Sequence, residues 1–197
     1  MSSPISPKGE AKKRLLTDTA IQLFRKKGYN NVTVDEIIKQ CQTSKGSFYH
    51  HFKSKSDIIN EHFVAADVYY KEMLLHAPAH YDAKQRLRYF LLHMFDYLEH
   101  NFGQDFLTIV YSTSLETTTH KYFRNPNRKL FQIFEQLVTE VKSEFNYERL
   151  HVATVTQSVK QVAMGIIYYW CTIQDPTPLA KAAEPSVDLL IKGLVFE

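Results

Sequence analysis

The architecture of the chain is clearest in residues 32–55, which read VTVDEIIKQCQTSKGSFYHHFKSK. Thr33 and Glu36 have the Thr-x-x-Glu spacing of a capping box, in which side chains and backbone at a helix N-terminus satisfy one another's hydrogen bonds. This spacing predicts a short helix over residues 34–41. Ser44 has the residue type that caps a second short helix, which extends to residue 52. Two short helices joined by a tight turn predict a helix-turn-helix.

The second short helix has one side suited to a core and another suited to DNA. Phe48 and Phe52 are four residues apart, so both can pin the helix inward. Lys45 suits the acceptors of guanine, and Ser47 can bond to either type of base. The positions left on the outward side or in the first turn are Lys45, Gly46, Ser47, Tyr49 and His50.

Other residues of the stretch suit the DNA backbone. Tyr49 and His51 can donate to phosphate oxygens. Lys55 lies in the first turn of the next predicted helix, where a cation and free backbone N–H groups favour an anion. Gly46 costs roughly 1 kcal/mol of helix stability against alanine, which is tolerable where the backbone must approach another surface.

This stretch, with matching residues upstream at 15–16, 20, 23–24 and 27–29, resembles the TetR-type bacterial regulators. The most specific part is Lys-Gly-x-x-Tyr-x-x-Phe-x-x-Lys over residues 45–55. The resemblance implies a DNA-binding head, a helical ligand-binding and dimerising body, and release from an operator when a small molecule binds. It implies base contacts from Lys45, Gly46 and Ser47, and phosphate or sugar contacts from Thr33, Tyr49, His50, His51 and Lys55. Ser44, which begins the helix, completes the predicted DNA-binding set.

The turn departs from the family pattern, which often has alanine and glycine where this chain has Cys41 and Gln42. A residue other than glycine in a left-handed turn costs on the order of 1 kcal/mol. We therefore expect a mildly strained turn and an unchanged fold.

Charge is distributed unevenly along the 197 residues. Residues 1–60 carry eleven Lys and Arg against five Asp and Glu, a balance of +6, while the remainder carries thirteen against sixteen, a balance of −3. This asymmetry favours a polyanion as partner of the N-terminal segment. A hydrophobic content of 44% and a charged content of 23% are those of a globular protein.

Several classes of protein are disfavoured. The first fourteen residues are polar and basic, unlike a signal peptide, and the longest apolar run, 162–173, is too short to span a membrane. Cys41 and Cys171 match no metal or disulfide spacing, so a cytoplasmic protein is expected. A phosphate loop, a nucleophile elbow and a His-Glu-x-x-His motif are all missing from the sequence, so neither an enzyme nor a cofactor is expected.

Helical periodicity dominates from Glu10 onward, which predicts an all-α protein of about nine helices. The first helix is expected over residues 10–27, ended by Gly28. Residues 1–55 are expected to form the helix-turn-helix domain, with 1–8 disordered, and residues 56–197 the effector-binding and dimerisation domain. The later long helices are expected at 82–100, 104–116, 126–144, 148–173 and 185–195, with Pro126 and Pro185 in first turns.

An apolar stripe with heptad spacing runs along the predicted helix at 148–173. Spacing alone favours packing within the chain, whereas the family resemblance implies an interface between subunits. The predicted dimer interface comprises Val155, Val159, Val162, Ile166, Tyr169, Val187, Leu190 and Leu194.

Large aromatic residues are frequent between residues 82 and 144. They can fill a core, and together they can also wall a pocket for an apolar or aromatic effector. The candidate effector-binding residues are Phe90, His93, Met94, Phe106, Tyr111, Phe134 and Tyr168. Alternatives are a co-repressor system, a metal sensor using His93, Asp96 and His100 at helical spacing, and a helical module that binds only protein.

Overall fold

The computed structural model describes residues 7–116, 125–173 and 176–195, without the side chains of 113–116. Within these ranges the chain forms nine α-helices, a 3-10 turn at Tyr29–Asn31 and no strand, which confirms the all-α prediction. None of these helices is long and apolar enough to cross a membrane. The helices are α1 (Pro7–Lys27), α2 (Val34–Gln40), α3 (Lys45–His51), α4 (Lys55–Leu75), α5 (Ala83–Phe102), α6 (Gln104–Glu116), α7 (Lys129–Glu144), α8 (Val152–Ile173) and α9 (Leu179–Lys192).

Local sequence signals account for several helix ends. Asp82 forms a complete capping box at the start of α5, because it accepts from the Gln85 N–H at 2.7 Å while Gln85 accepts from the Asp82 N–H at 2.9 Å. Gly103 follows α5 with φ +75°, and Gly28 follows α1 with φ +80°. Glycine is favoured at both positions because a left-handed backbone would strain a residue with a Cβ.

Other helix ends differ from the predictions. The disorder predicted for residues 1–8 concerns residues 1–6, which lie outside the described residues, and residues 7–8, which instead form the first turn of α1. Helix α7 begins three residues after Pro126. Pro185 does not begin a helix but lies inside α9, which starts at Leu179. Pro185 is exposed, so the backbone carbonyl that loses its internal partner there can be hydrated.

The backbone contacts divide the chain into two compact units. The described part of the first unit comprises residues 7–65 and 109–116, and that of the second comprises 66–108, 125–173 and 176–195. By these contacts residues 55–65 of α4 belong to the first unit. The functional boundary between residues 55 and 56 stays a prediction.

The first unit has a small apolar core at the meeting of α1, α2 and α3. Leu16, Ala20 and Phe24 of α1 are completely buried, as are Ile37 of α2 and Phe48 of α3. Burying each of the larger side chains contributes about 1.5–3 kcal/mol. This core fixes α3 on α2 and thereby determines which side of α3 faces outward.

The second unit is a helical bundle in which α5 packs on α7 and α9, and α8 packs on both α7 and α9. Its interior is rich in aromatic side chains. Phe90 of α5 meets Phe134 of α7 edge to face, with ring centroids 5.8 Å apart, and both are buried. Such pairs add about 0.5–1.5 kcal/mol beyond the burial of their area.

Candidate nucleic-acid interface

Two hydroxyl side chains begin the two short helices, as predicted. The Glu36 N–H donates to Thr33 Oγ1 at 3.1 Å, and the Ser47 N–H donates to Ser44 Oγ at 3.1 Å. The second half of the predicted capping box has a different partner, because the Glu36 carboxylate pairs with Lys27 of α1. Both helices therefore start with satisfied backbone donors, and α2 is also tied to α1.

The turn between α2 and α3 is left-handed at Gln42, whose φ is +49°. Its backbone is held by hydrogen bonds from the Gln42 N–H to the Lys39 carbonyl at 3.2 Å and from the Thr43 N–H to the Ile38 carbonyl at 2.9 Å. The strain expected from the sequence is therefore located at one residue. The geometry is that of a helix-turn-helix.

Helix α3 has an inward and an outward side, as its sequence indicates. Phe48 is completely buried and Phe52 is nearly so, with ring centroids 5.7 Å apart. Four of the predicted DNA-contacting residues of α3 are exposed: Lys45, Gly46, Tyr49 and His50. Ser47 and His51 are half-buried, while Ser44 and Thr33 are exposed caps. The structure thus brings these eight predicted residues together on and beside one short helix.

Gly46 is not required by the packing of the protein. A Cβ added at this position would meet only Ser44 Oγ, at 4.0 Å, and its backbone is not left-handed. Nothing in the described part of the unit therefore explains why the first turn of α3 carries glycine, which is less favourable in a helix than any residue except proline. Close approach of an external surface does explain it.

Lys45 does not point freely outward. Its Nζ lies 3.0 Å from Asp35 Oδ1 in the first turn of α2. The hydrogen bond and the negative charge of Asp35 raise the pKa of Lys45. Asp35 was not among the predicted site residues, and the sequence signal for it is its place in the first turn of the neighbouring helix.

Lys55 takes a different role from the predicted one. Its Nζ donates to the carbonyl oxygens of Tyr29 at 2.8 Å and Val32 at 2.6 Å, and lies 4.4 Å from the centroid of the Tyr29 ring. Burial lowers the pKa of Lys55. Two of the three donors of the ammonium are thus engaged inside the unit, so this geometry does not support the predicted phosphate contact. Lys55 instead ties α4 to the segment that connects α1 and α2.

His51 is turned partly toward α1. Its Nδ1 is buried and has no hydrogen-bond partner among the described residues. Burial lowers the pKa of His51, and the positive charges of His50, Lys13 and Lys12 lower it further. A neutral imidazole is therefore favoured in the folded protein.

The predicted dimer interface is divided between the interior and the surface of the second unit. Val159 and Val187 are completely buried. The other six residues line an open groove of about 890 Å³ between α8 and α9: Val155, Val162, Ile166, Tyr169, Leu190 and Leu194. Leu189, which the sequence analysis did not include, also lines this groove and is 73% exposed. Among the residues that the structure describes, none covers this apolar groove.

The candidate effector-binding residues do not all lie together. Phe90, Met94, Phe106 and Phe134 are buried in the second unit. The remaining three lie elsewhere: His93 and Tyr168 are exposed, and Tyr111 is half-buried in the first unit.

Both histidines of the alternative metal set place one ring nitrogen against a backbone carbonyl oxygen of their own helix. His93 Nδ1 lies 2.9 Å from the Tyr89 carbonyl oxygen, and His100 Nδ1 lies 2.9 Å from that of Asp96. In the part of the chain that the structure describes, no group of three or more His, Cys, Asp or Glu side chains is arranged to hold a metal ion.

A buried ion pair in the second unit was not foreseen. Arg128 donates from Nε and Nη2 to Asp67 Oδ1, both at 3.2 Å, and the Leu130 N–H donates to Asp67 Oδ2 at 3.4 Å. The side chains of Arg128 and Asp67 are 6% and 4% exposed. Removing either partner would leave an uncompensated buried charge, so this pair fixes the start of α7 on α4.

Comparisons with known proteins agree with this geometry. A family model of bacterial regulatory proteins of the tetR family matches residues 16–62. An HTH-type transcriptional regulator of Bacillus subtilis, YuxN, is 48% identical over 48 residues, which are 24% of this chain and 16% of that protein. The Transposon Tn10 TetC protein of Escherichia coli is 26% identical over 170 residues, 75% of this chain and 81% of that protein.

The fold is also shared with a solved structure. The transcriptional regulator FadR from Bacillus subtilis, in complex with stearoyl-CoA, superposes with a TM-score of 0.75 at 20% identity and covers 92% of this chain and 99% of its own. At this identity the likeness concerns the fold.

The caps, the left-handed turn and the two-sided α3 define the first unit as a helix-turn-helix module. The matched segment and the shared fold confirm the family recognised in the sequence. Residues 16–62 match the tetR family of bacterial regulatory proteins, and the chain shares the fold of a solved transcriptional regulator.

Proposed function

We propose that the chain is a transcriptional repressor that binds a palindromic operator as a homodimer and is released by a small apolar effector. The observation that carries this proposal is the outward side of α3. It presents Lys45, Gly46 and Tyr49 on a helix that Phe48 pins to the core. A segment with a balance of +6 is suited to a polyanion.

The roles of the DNA-contacting residues follow from their placement. Lys45 and Ser47 read base edges in the major groove, and Gly46 lets the backbone approach closely. Thr33, Ser44, Tyr49, His50 and His51 contact phosphates or sugars. Lys55 acts from inside the unit through Tyr29 and Val32 and holds the helices at the angle that binding needs.

The groove between α8 and α9 is the proposed dimer interface. Tyr169 and Leu189 are 65% and 73% exposed, so neither is retained for the packing of the single chain. A second copy of the chain, related by a two-fold axis, would cover both residues on each side. The dimer would place two recognition helices in successive major grooves, about 34–36 Å apart.

The effector site is proposed for the interior of the second unit, around Phe90, Met94, Phe106 and Phe134. An apolar wall of this kind suits a ligand with a long apolar portion. Stearoyl-CoA, bound by the Bacillus subtilis FadR, is a reasonable first probe. Because α4 contributes residues to both units as one continuous helix, it is suited to transmit a change in the second unit to the first.

Two measurements test the proposal. The first is nuclease protection of DNA upstream of the chain's own gene, which should reveal a palindromic site. The second is the affinity for stearoyl-CoA, and for a panel of smaller aromatic compounds, with and without saturating operator. A ligand that prefers the released state 100-fold, about 2.7 kcal/mol, must bind 100-fold more weakly in the presence of operator.

The outcomes separate the possibilities. Failure to protect any palindromic fragment would refute the operator. Equal ligand affinity in the two conditions would refute allosteric release for that ligand. Tighter ligand binding in the presence of operator would identify a co-repressor system instead.

A further inference from the structure

A carboxylate lies on the surface proposed to face DNA. Asp35 is in the first turn of α2, two residues after Thr33, and its side chain is 69% exposed. DNA is a polyanion, so each negative charge on this surface opposes binding to every sequence. The presence of the Asp35 carboxylate on this surface therefore requires an explanation that outweighs its unfavourable effect on DNA binding.

The stability of the folded protein does not explain why Asp35 is present. Lys45, the partner of Asp35, is 58% exposed, and ion pairs between exposed side chains contribute little to folding. An acidic residue favours the first turn of a helix, but Glu36 beside it already supplies that charge to α2. What Asp35 alone does is hold the ammonium of Lys45 at 3.0 Å.

We propose that Asp35 is a specificity-determining residue that positions Lys45 for base edges and disfavours its use as a phosphate contact. The inference rests on the proposed function, in which Lys45 reads bases. An ammonium has three donors, so Lys45 can keep its bond to Asp35 and still donate to O6 and N7 of guanine, which are neutral acceptors. A phosphate in the same place would lie against the carboxylate of Asp35 and be repelled.

This arrangement separates two kinds of complex. At the operator, the ion pair persists and directs Lys45 toward the base. On unrelated DNA, where binding depends on phosphates, the ion pair withholds one cation from the backbone. Asp35 thus lowers affinity for unrelated sequences more than affinity for the operator, which raises the ratio of the two.

The test uses the full chain and two duplexes of equal length. One is the sequence that the protein selects from a randomised duplex library, and the other is the same composition in shuffled order. The variants are Asp35→Asn, the matched control Asp18→Asn, Lys45→Gln alone, and each aspartate variant combined with Lys45→Gln. Asp18 is an exposed carboxylate of α1 that also pairs with a cation, Arg14 at 3.9 Å, so the control removes the same charge from the same unit. Dissociation constants are measured at several salt concentrations.

Asp35→Asn should tighten binding to the shuffled duplex about eightfold per subunit at 0.1 M salt, which is about sixtyfold for the dimer. This is the effect of one additional phosphate contact in each subunit, and it should steepen the salt slope by about 1.8 for the dimer. Binding to the selected duplex should change less, so the specificity ratio falls. Asp18→Asn should affect the two duplexes equally. With Lys45→Gln present, Asp35→Asn should no longer change the ratio.

Three results would overturn the inference. Equal changes for the two aspartate variants would reduce Asp35 to a general charge effect. An effect of Asp35→Asn on the ratio that persists with Lys45→Gln would mean that Asp35 acts directly, for example by accepting from cytosine. An unchanged ratio in Lys45→Gln alone would refute base reading by Lys45, and with it both the proposed role of that residue and the inference.

Discussion

Replacing Gly46 with alanine should stabilise the protein and weaken its binding to operator DNA. Gly46 lies in the first turn of α3, is exposed, and has room for a Cβ, whose nearest neighbour would be Ser44 Oγ at 4.0 Å. A glycine within a helix costs about 0.5–1 kcal/mol against alanine. The free energy of unfolding should rise by about this amount, which corresponds to an increase in Tm on the order of 1–4 °C.

The effect on DNA binding should have the opposite sign. The new methyl group would keep the DNA about 1 Å further from α3, and hydrogen bonds from Lys45 and Ser47 weaken steeply when lengthened by that much. Losing one good base contact costs about 1–3 kcal/mol, so operator affinity should fall roughly 5- to 150-fold for each half-site.

Thermal unfolding and fluorescence anisotropy with labelled operator measure the two effects on the same sample. A variant that is more stable yet binds weakly would show that Gly46 is retained for contact with DNA. Unchanged operator affinity would refute the close approach of the backbone. A decrease in stability would refute the reading of the space around Gly46.

Three further predictions concern other parts of the molecule. Leu189→Arg, in the groove, should convert the dimer into a monomer. Leu75→Arg is the control, because Leu75 is 79% exposed but does not line the groove, and this variant should stay a dimer. Sedimentation velocity measures the oligomeric state, and a dimer in both variants would exclude the groove as the dimer interface. Lys55→Met should lower the free energy of unfolding by about 1–3 kcal/mol, because two carbonyl oxygens each lose a charged donor. The salt slope of DNA binding should then stay the same, and a slope reduced by about 0.9 per subunit would instead assign Lys55 to a phosphate. Because the pKa of His51 is lowered on folding, stability should be full above pH 6.5 and decline as the pH falls below it. Denaturant titrations at pH 7 and 5.5 should show a smaller decline for His51→Gln, and an equal decline would place the responsible group elsewhere.

Much of the first unit could be predicted from the sequence because its signals are local. Thr33 and Ser44 cap helices through contacts with residues three positions later, and such contacts follow from helix geometry alone. The left-handed backbone of Gln42 was also anticipated, because the family pattern often has glycine at this position of the turn. The family resemblance then supplied the role of the outward side of α3.

What could not be predicted depends on contacts between distant residues. Lys55 meets Tyr29 and Val32, which lie more than twenty positions earlier, so its position in a first turn suggested an anion site instead. Asp67 and Arg128 form an ion pair although they are 61 positions apart in the sequence. No periodic pattern in the sequence predicts this pair.

The prediction of helix starts from proline positions was wrong for a different reason. Proline is favoured in first turns, and Pro185 was interpreted accordingly. An exposed helix tolerates it in the interior, because water can satisfy the freed carbonyl. The aromatic residues of the second unit are ambiguous for a related reason, since the same side chains fill a core or wall a pocket.

The residues of the heptad stripe of α8 serve two different purposes, packing within one chain and, in the proposed dimer, contact between two copies of the chain. Val159 is buried within its own chain, so its replacement by a polar residue would destabilise the fold of each single chain. Tyr169, ten residues further along, is exposed, and in the proposed dimer its value is realised only when a second copy is present. A substitution at Tyr169 that weakens the dimer would therefore have little effect in concentrated solution. On dilution the variant would dissociate into monomers, because dimerisation follows mass action. Substitutions at Val159 and Tyr169 lie within three turns of the same helix. How strongly their effects depend on the amount of protein made in the cell should nevertheless differ.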